Sequence, residues 1–205
     1  MVHDLAACGQ RLWMVNTLFN CLATLEENWS FVPQWKPSFI SKIAPGDRCH
    51  LNGLATSEDG QTPAYVTALG ESDAENGWRE RKATGGCLIE VSTGEVIVGG
   101  LCMPHSPRLY RGTLYFLDSG QGTLNCCNPL NGKTEVIAQL PGFTRGLDCW
   151  QGHAFVGLSQ IRETAVFGGL PLEAQQSALR CGLAIVSLAT GQVVGTFWFS
   201  SGVEE

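Results

Sequence analysis

The chain has 205 residues, of which 44% are hydrophobic and 25 are glycine, and its formal net charge is −6. This composition can form a hydrophobic core, and many glycines between short β-rich segments favour an all-β protein with many turns. The acidic balance, with no stripe of Lys and Arg, argues against a nucleic-acid partner. No run of about 18 apolar residues occurs, and residues 1–4 do not begin a signal peptide, so no membrane association is predicted.

The nine cysteines are an odd number and include no C-x-x-C pair. This spacing argues against a disulfide framework and against a cysteine zinc site. We therefore expect reduced thiols and a cytoplasmic location, with several cysteines packed in strands as small hydrophobic residues.

A basic residue precedes an aromatic strand residue in four successive units of the chain. In three of these units the separation is ten residues, for the pairs His3 and Trp13, His105 and Tyr115, and Arg145 and Phe155. In the remaining unit Tyr65 follows His50 by fifteen residues, and we attribute the difference to a turn enlarged by residues 57–61. A recurring unit of this kind is the signature of a repeat fold.

Three units also contain an apolar strand, a glycine turn and a β-branched strand, with the turns at residues 92–94, 130–132 and 189–191. Units of roughly 40–50 residues with about four antiparallel strands match one blade of a β-propeller. We predict a single all-β propeller domain over residues 1–205. Its four consecutive four-stranded blades are expected at about 3–46, 47–103, 104–141 and 142–205. Both ends of the chain coincide with blade boundaries, so we expect these blades to belong to a larger, six- or seven-bladed ring.

Two insertions interrupt the blades. Residues 71–86 are polar and charged, which predicts a long surface loop. Residues 161–180 form the other insertion, in which Pro171 and the helix-forming residues after it predict a short helix.

Several longer motifs resemble a known family. They are CHLNGLA at residues 49–55, MPHSPR at 103–108 and LPGFTRGL at 140–147. Together they resemble an uncharacterised bacterial, largely cyanobacterial, family of domains of unknown function, sometimes fused to tetratricopeptide or sulfotransferase modules. The resemblance covers nearly the whole chain and implies a β-propeller-like fold, with longer family members. It implies no established activity.

The repeat places the basic residues at one mouth of a central channel, because equivalent positions of successive blades form a ring. We therefore expect His3, His50, His105 and Arg145 to converge. The candidate ligand-binding residues are His3, His50, Asn52, His105, Arg108 and Arg145. Three neutral imidazoles suit a divalent transition metal, so His3, His50 and His105 are also candidate metal ligands.

Three functions remain open from the sequence. The leading one is binding of a small ligand or a protein partner at a channel mouth lined by His and Arg. The second is a metal-dependent lyase or hydrolase, with Arg145 or Arg108 holding an anionic substrate group. The third is a structural interaction platform that uses the sheet edges and the loop at residues 71–86, with the histidines fastening the blades. For Arg108 and Arg145, the alternative to ligand binding is an ion pair between blades with an aspartate such as Asp4 or Asp118.

Overall fold

The computed structural model describes residues 1–161 and 168–200, and within them four antiparallel sheets of four consecutive strands each. Sheet 1 contains β1 (Val2–Cys8), β2 (Arg11–Asn16), β3 (Cys21–Glu26) and β4 (Trp29–Trp35). Sheet 2 contains β5 (Leu51–Thr56), β6 (Pro63–Ala68), β7 (Gly86–Glu90) and β8 (Val96–Leu101). Sheet 3 contains β9 (Pro104–Tyr110), β10 (Thr113–Asp118), β11 (Thr123–Cys127) and β12 (Thr134–Gln139). Sheet 4 contains β13 (Phe143–Trp150), β14 (His153–Ser159), β15 (Gly182–Ser187) and β16 (Val193–Trp198).

The all-β prediction is confirmed. The helices in the described residues are the short 3-10 helices Thr17–Phe19, Arg79–Arg81 and Pro171–Ala178. The last of these falls where the sequence predicts a short helix.

Neighbouring sheets pack face to face through the repeated aromatic residues. Trp13 packs into a cluster shared by sheets 1 and 2, Tyr65 into one shared by sheets 2 and 3, and Tyr115 into one shared by sheets 3 and 4. Successive side chains of a strand point to opposite faces of a sheet. The residue after each aromatic therefore packs toward the preceding sheet, as Val66, Phe116 and Val156 do.

A glycine of the HLNGLA motif allows β5 and β9 to approach closely. A Cβ on Gly53 would lie 2.5 Å from Cδ of Pro107 and 2.5 Å from Oγ1 of Thr67. Any larger residue would collide with both sides of this contact, so the motif glycine is required by packing between sheets 2 and 3.

The insertion at residues 71–86 differs from the prediction of a surface loop. Although its charged residues are largely exposed, Trp78 is only 2% exposed. It packs with Met103 and Phe143, and with Leu170, Leu172 and Leu179 of the second insertion. The two insertions thus form one apolar cluster at the same end of the molecule. The physical reason is that burying the large apolar side chain of Trp78 removes apolar surface from water. This favourable free energy holds that part of the loop against the protein.

All nine cysteines are free thiols, and seven of them are buried. Within the described ranges, the helices are too short and too polar to span a bilayer.

Candidate functional site

The four inner strands deviate from regular pairing at corresponding places. Register shifts interrupt the pairing between Val2 and Leu5 in β1, between Leu51 and Gly53 in β5, opposite the Tyr115–Leu117 step in β9, and between Thr144 and Leu147 in β13. Ser106 and Gly146, each directly after a predicted site residue, have φ of 51° and 82°. Such bulges re-aim side chains, and here they turn His3, His105 and Arg145 toward a common region.

Strand register shows that Asn52, and not His50, is the equivalent of these residues in sheet 2. The aromatic residues Trp13, Tyr65, Tyr115 and Phe155 pair with Ala6, Ala55, Arg108 and Asp148, respectively. The residues three positions before these partners are His3, Asn52, His105 and Arg145. His50 comes from the loop ahead of β5 and has a left-handed φ of 51°. The expectation that His50 occupies the repeat position is therefore corrected, because the enlarged turn between β5 and β6 obscures the register.

The structure nevertheless brings His50 to the same cluster. Its Nε2 lies 3.1 Å from Nε2 of His3, and its Nδ1 lies 2.6 Å from Oδ2 of Asp47. On the other side of His3, Nη2 of Arg145 is 3.3 Å from Nδ1. The ring of His105 has its centroid 6.2 Å from that of His3. We call His3, His50, His105 and Arg145 the basic cluster.

The hydrogen bonds fix which nitrogen of each imidazole carries a proton. Arg145 can only donate, so Nδ1 of His3 accepts and the proton of His3 is on Nε2. That proton is donated to Nε2 of His50, which leaves the proton of His50 on Nδ1, where it is donated to Asp47. A single chain of donors thus runs from a guanidinium in sheet 4 through the imidazoles of His3 and His50 to a carboxylate beside sheet 2.

His105 is held rigidly by its own partners. Its Nδ1 donates to the carbonyl oxygen of Met103 at 2.8 Å and lies 3.0 Å from Oγ of Ser119. The hydroxyl of Ser119 in turn donates to the carbonyl oxygen of Thr144 at 2.6 Å. These bonds join sheets 3 and 4, and they set the proton of His105 on Nδ1.

Burial keeps two histidines of the cluster neutral. It lowers the pKa of His3 to about 4, with further lowering by His50 and Arg145 and partial opposition from Asp47. Burial likewise holds the pKa of His105 well below its usual range, and Arg145 adds to this effect. The guanidinium of Arg145 in this region is charged and exposed.

Two predicted ligand-binding residues are occupied by structural contacts. Asn52 is 3% exposed, donates to the carbonyl oxygen of Pro104 at 3.0 Å and accepts from Oγ1 of Thr67 at 2.6 Å. Nη1 of Arg108 donates to the carbonyl oxygen of Leu54 at 3.0 Å and lies 3.5 Å from Oδ2 of Asp4. The pairing of Arg108 with Asp4 is one of the alternatives that the sequence left open.

Sequence reasoning missed two residues that contact the cluster. Asp47 orients His50, and the spacing of three residues between them was an available signal. Trp78 packs on His50 with ring centroids 4.6 Å apart, and its signal was that it stands alone as a large apolar residue in a polar insertion.

Within the described ranges, Oδ1 of Asp47 and Nε1 of Trp78 are buried without a hydrogen-bond partner, as is Oγ1 of Thr144. All three atoms belong to residues in or directly beside the cluster.

The arrangement does not fit a metal ion as it stands. In the described part of the chain, no group of three or more His, Cys, Asp or Glu side chains is arranged to hold one. A metal on Nε2 of His3 would also require the proton of His3 to move to Nδ1, where it would face the N–H of Arg145.

The sheets place the chain among proteins of known structure. Regucalcin from Agrobacterium tumefaciens, described as a calcium-binding protein, is similar with a TM-score of 0.64 and 14% identity over 97% of this chain and 60% of that one. Virginiamycin B lyase from Staphylococcus aureus is similar with a TM-score of 0.53 and 10% identity over 97% and 55%. The computationally designed protein Ika8 is similar with a TM-score of 0.51 and 10% identity over 96% and 48%.

The chain therefore has a β-propeller fold, as the sequence predicts, and it spans about half to three-fifths of the length of these proteins. At such identities the likeness shows the fold alone. None of the curated proteins matches the chain significantly. A family model described as "Domain of unknown function (DUF4915)" matches residues 1–205.

Proposed function

We propose that this chain, which belongs to the family of domains of unknown function that matches residues 1–205, binds a small anionic ligand, such as a carboxylate, at its basic cluster. The proposal includes a cytoplasmic location, which the free state of all nine thiols supports. The proposal narrows the leading prediction from the sequence, which is binding of a small ligand at a channel mouth lined by His and Arg, to a small anion.

One observation carries the proposal, namely that the strand bulges bring the exposed guanidinium of Arg145 and the imidazoles of His3 and His105 to one region. Nη2 of Arg145 approaches Nδ1 of His3 at 3.3 Å. The planar N–H groups of a guanidinium match a carboxylate or phosphate through paired hydrogen bonds.

The neighbouring groups would add orientation. Nδ1 of His3 accepts a hydrogen bond, and the Nδ1 protons of His50 and His105 are already held by Asp47 and Met103. The imidazoles can therefore present only defined donor and acceptor positions to a ligand. This fixed polarity favours an anion that also carries a hydroxyl or other donor group for the unprotonated nitrogens.

The test measures binding of acetate, succinate, malate, sulfate and phosphate to the protein, by thermal shift and by isothermal titration calorimetry. Replacing Arg145 with Gln should weaken binding of the best probe about 10- to 100-fold, the range expected for loss of hydrogen bonds to a charged group. Arg111→Gln, which makes the same change outside the cluster, should leave binding unchanged. No binding by any probe, or equal binding by Arg145→Gln, would contradict the proposal.

A metal-dependent lyase or hydrolase is the second candidate, and one observation favours it. The 3.1 Å between Nε2 of His3 and Nε2 of His50 is close to the separation of two nitrogens that share a zinc ion with bonds of about 2.0–2.1 Å. Metal analysis of purified protein and of His50→Ala distinguishes the candidates. Stoichiometric metal that is lost in His50→Ala would favour the second candidate, whereas metal-free protein that binds an anion supports the first.

A further inference from the structure

Two buried polar atoms next to His50 lack a hydrogen-bond partner among the residues that the structure describes. They are the carboxylate oxygen Oδ1 of Asp47 and the indole nitrogen Nε1 of Trp78. Asp47 contacts the imidazole through its other oxygen, Oδ2, which lies 2.6 Å from Nδ1. Trp78, which is 2% exposed, packs on the same imidazole with ring centroids 4.6 Å apart. One of the two atoms is an acceptor and the other is a donor.

The fold holds these two side chains in the same place. The backbone N–H of Asn76 donates to the carbonyl oxygen of Asp47 at 2.7 Å, and Trp78 follows Asn76 by two residues. The indole is fixed further by packing with Met103 and Phe143. Because the indole is enclosed in this way, its N–H cannot turn toward bulk water without leaving the apolar side chains around it.

The missing partners indicate that a group from outside the described chain binds beside His50. Native proteins pair nearly all of their buried polar groups, because a buried donor or acceptor without a partner has lost the hydrogen bonds that it made to water. Here an unpaired acceptor and an unpaired donor flank one imidazole, and that imidazole belongs to the basic cluster. The group that pairs with them therefore lies at the edge of the proposed anion site.

The chemistry of the two atoms selects a hydroxyl group. A hydroxyl can accept a hydrogen bond from Nε1 of Trp78 and donate its own proton to Oδ1 of Asp47. A second carboxylate would accept from Trp78, but the carboxylate of Asp47 would repel it. An ammonium group would pair with Asp47, but it has no lone pair for the indole N–H. A water molecule has the same capacity as a hydroxyl, so a test must separate these two sources.

The basic cluster determines how far this hydroxyl lies from the anion. The rings of His3 and His50 stand between Arg145 and Asp47, joined by contacts of 3.3, 3.1 and 2.6 Å. A hydroxyl on the carbon next to a carboxylate cannot reach across two imidazole rings. A hydroxyl at the far end of an extended chain of about six carbons can, since three covalent bonds of such a chain span about 3.3–3.6 Å.

We infer that the ligand is a carboxylic acid whose hydroxyl group lies several carbons away from its carboxylate. The carboxylate binds at Arg145, and the hydroxyl binds between Asp47 and Trp78. This inference rests on the proposed function, because it requires an anion at the basic cluster. It makes Trp78, from the insertion between β6 and β7, a residue that determines specificity.

The experiment compares the binding of hexanoate, 2-hydroxyhexanoate and 6-hydroxyhexanoate by isothermal titration calorimetry. The two hydroxy acids have the same composition and charge and differ in the position of the hydroxyl. We expect 6-hydroxyhexanoate to bind about 10-fold more tightly than the other two, the gain typical of a hydrogen bond to a charged group. Trp78→Phe keeps an aromatic ring and removes the N–H, so it should abolish this preference. Trp29→Phe, at a tryptophan that is 70% exposed, is the matched control and should retain it.

A measurement on the unaltered protein shows whether Trp78 contacts the hydroxyl even where the variant folds poorly. In protein labelled with ¹⁵N in Trp, the Nε1–H resonance of Trp78 should shift and saturate with 6-hydroxyhexanoate but not with hexanoate. A resonance that responds equally to both acids would overturn the inference.

The outcomes separate this inference from the proposed function. Equal affinity for the three acids would overturn the inference, leave the anion site in place and assign the two buried atoms to a water molecule. A preference that Trp78→Phe leaves unchanged would also overturn it. Binding of a shorter anion but of none of these acids would overturn the inference alone, whereas no binding by any anion would overturn both.

Discussion

Nη2 of Arg145 in sheet 4 lies 3.3 Å from Nδ1 of His3 in sheet 1, and this contact joins two sheets that share no hydrophobic cluster in the described structure. The contact has two consequences. It sets the proton of His3 on Nε2, and through His50 it determines the proton position next to Asp47. It also places the exposed guanidinium of Arg145 next to the imidazole of His3, and both belong to the proposed anion site.

We expect Arg108 to contribute to stability and not to anion binding. Arg108→Gln removes its hydrogen bond to the carbonyl oxygen of Leu54 and its ion pair with Asp4. Because the pair is partly exposed, the loss in the free energy of unfolding should be about 1 kcal/mol. Urea denaturation measures this loss, and calorimetry with the best anion should give the wild-type affinity. An affinity loss as large as that of Arg145→Gln would place Arg108 in the site after all.

Asn52 should act as a link between sheets 2 and 3. Asn52→Ala leaves the carbonyl oxygen of Pro104 and the hydroxyl of Thr67 without their buried partner, which should lower the free energy of unfolding by about 1–3 kcal/mol. A double-mutant cycle with Thr67→Val should give a coupling energy of about 0.5–3 kcal/mol between the two residues. Strictly additive effects would show that the 2.6 Å hydrogen bond contributes nothing to folding.

Gly53→Ala should be strongly destabilising because its Cβ would approach Cδ of Pro107 and Oγ1 of Thr67 at 2.5 Å. We expect a loss of about 1–3 kcal/mol, the usual effect of overpacking. Gly94→Ala is a useful comparison, since a Cβ there meets no atom within 4 Å and only the backbone conformation, with φ of 74°, is unfavourable. A Gly53→Ala protein as stable as wild type would contradict the close approach of β5 and β9.

Acidification should destabilise the protein through His3 and His105. Their pKa values are lowered in the folded protein, to about 4 for His3 from an ordinary value of 6.5, so the unfolded chain binds more protons between these values. The free energy of unfolding therefore falls as the pH drops from 6.5 toward 4. Each histidine can change the free energy of unfolding by at most about 1.4 kcal/mol per pH unit. The contribution of His3 is smaller because its side chain is partly exposed.

Protonation of Asp118 should change the stability in the opposite direction on acidification, so a substitution of Asp118 serves as a control. Burial raises the pKa of its carboxyl group to about 6, so the folded protein binds the extra proton between pH 6 and the ordinary value of 3.8. Asp118→Asn should therefore steepen the loss of stability on acidification. In that background His105→Gln should flatten the profile, whereas His153→Gln, outside the cluster, should not. A profile that is insensitive to His105→Gln would contradict the burial of a neutral imidazole.

The repeat made much of this architecture predictable. A basic residue ten positions before an aromatic recurs because each inner strand forms the same hairpin, and this spacing located His3, His105 and Arg145 correctly in the strands. The count failed for His50 because three-dimensional register, and not spacing along the chain, decides equivalence when a turn changes length. Asn52 occupies the repeat position, and its side chain bonds to Pro104 and Thr67, whereas the sequence pattern predicts contact with a ligand.

Other features depend on contacts between distant segments and could not be predicted from local pattern. Trp78 is buried by Met103, Phe143 and the 3-10 helix at Pro171–Ala178, which are far from it in sequence. The order of donors from Arg145 to Asp47 depends on distances of 2.6 to 3.3 Å that no spacing rule specifies.

The central claim, an anion site at the basic cluster, is tested most directly by following side-chain resonances during titration with the best-binding carboxylate. Nuclear magnetic resonance of protein labelled with ¹⁵N in Arg and His reports on each guanidinium and imidazole separately. We predict saturable shifts for Arg145 and for His3, with no saturable shift for Arg111 or His153. Saturable shifts elsewhere with none at Arg145, or only weak linear shifts shared by all exposed arginines, would contradict the account.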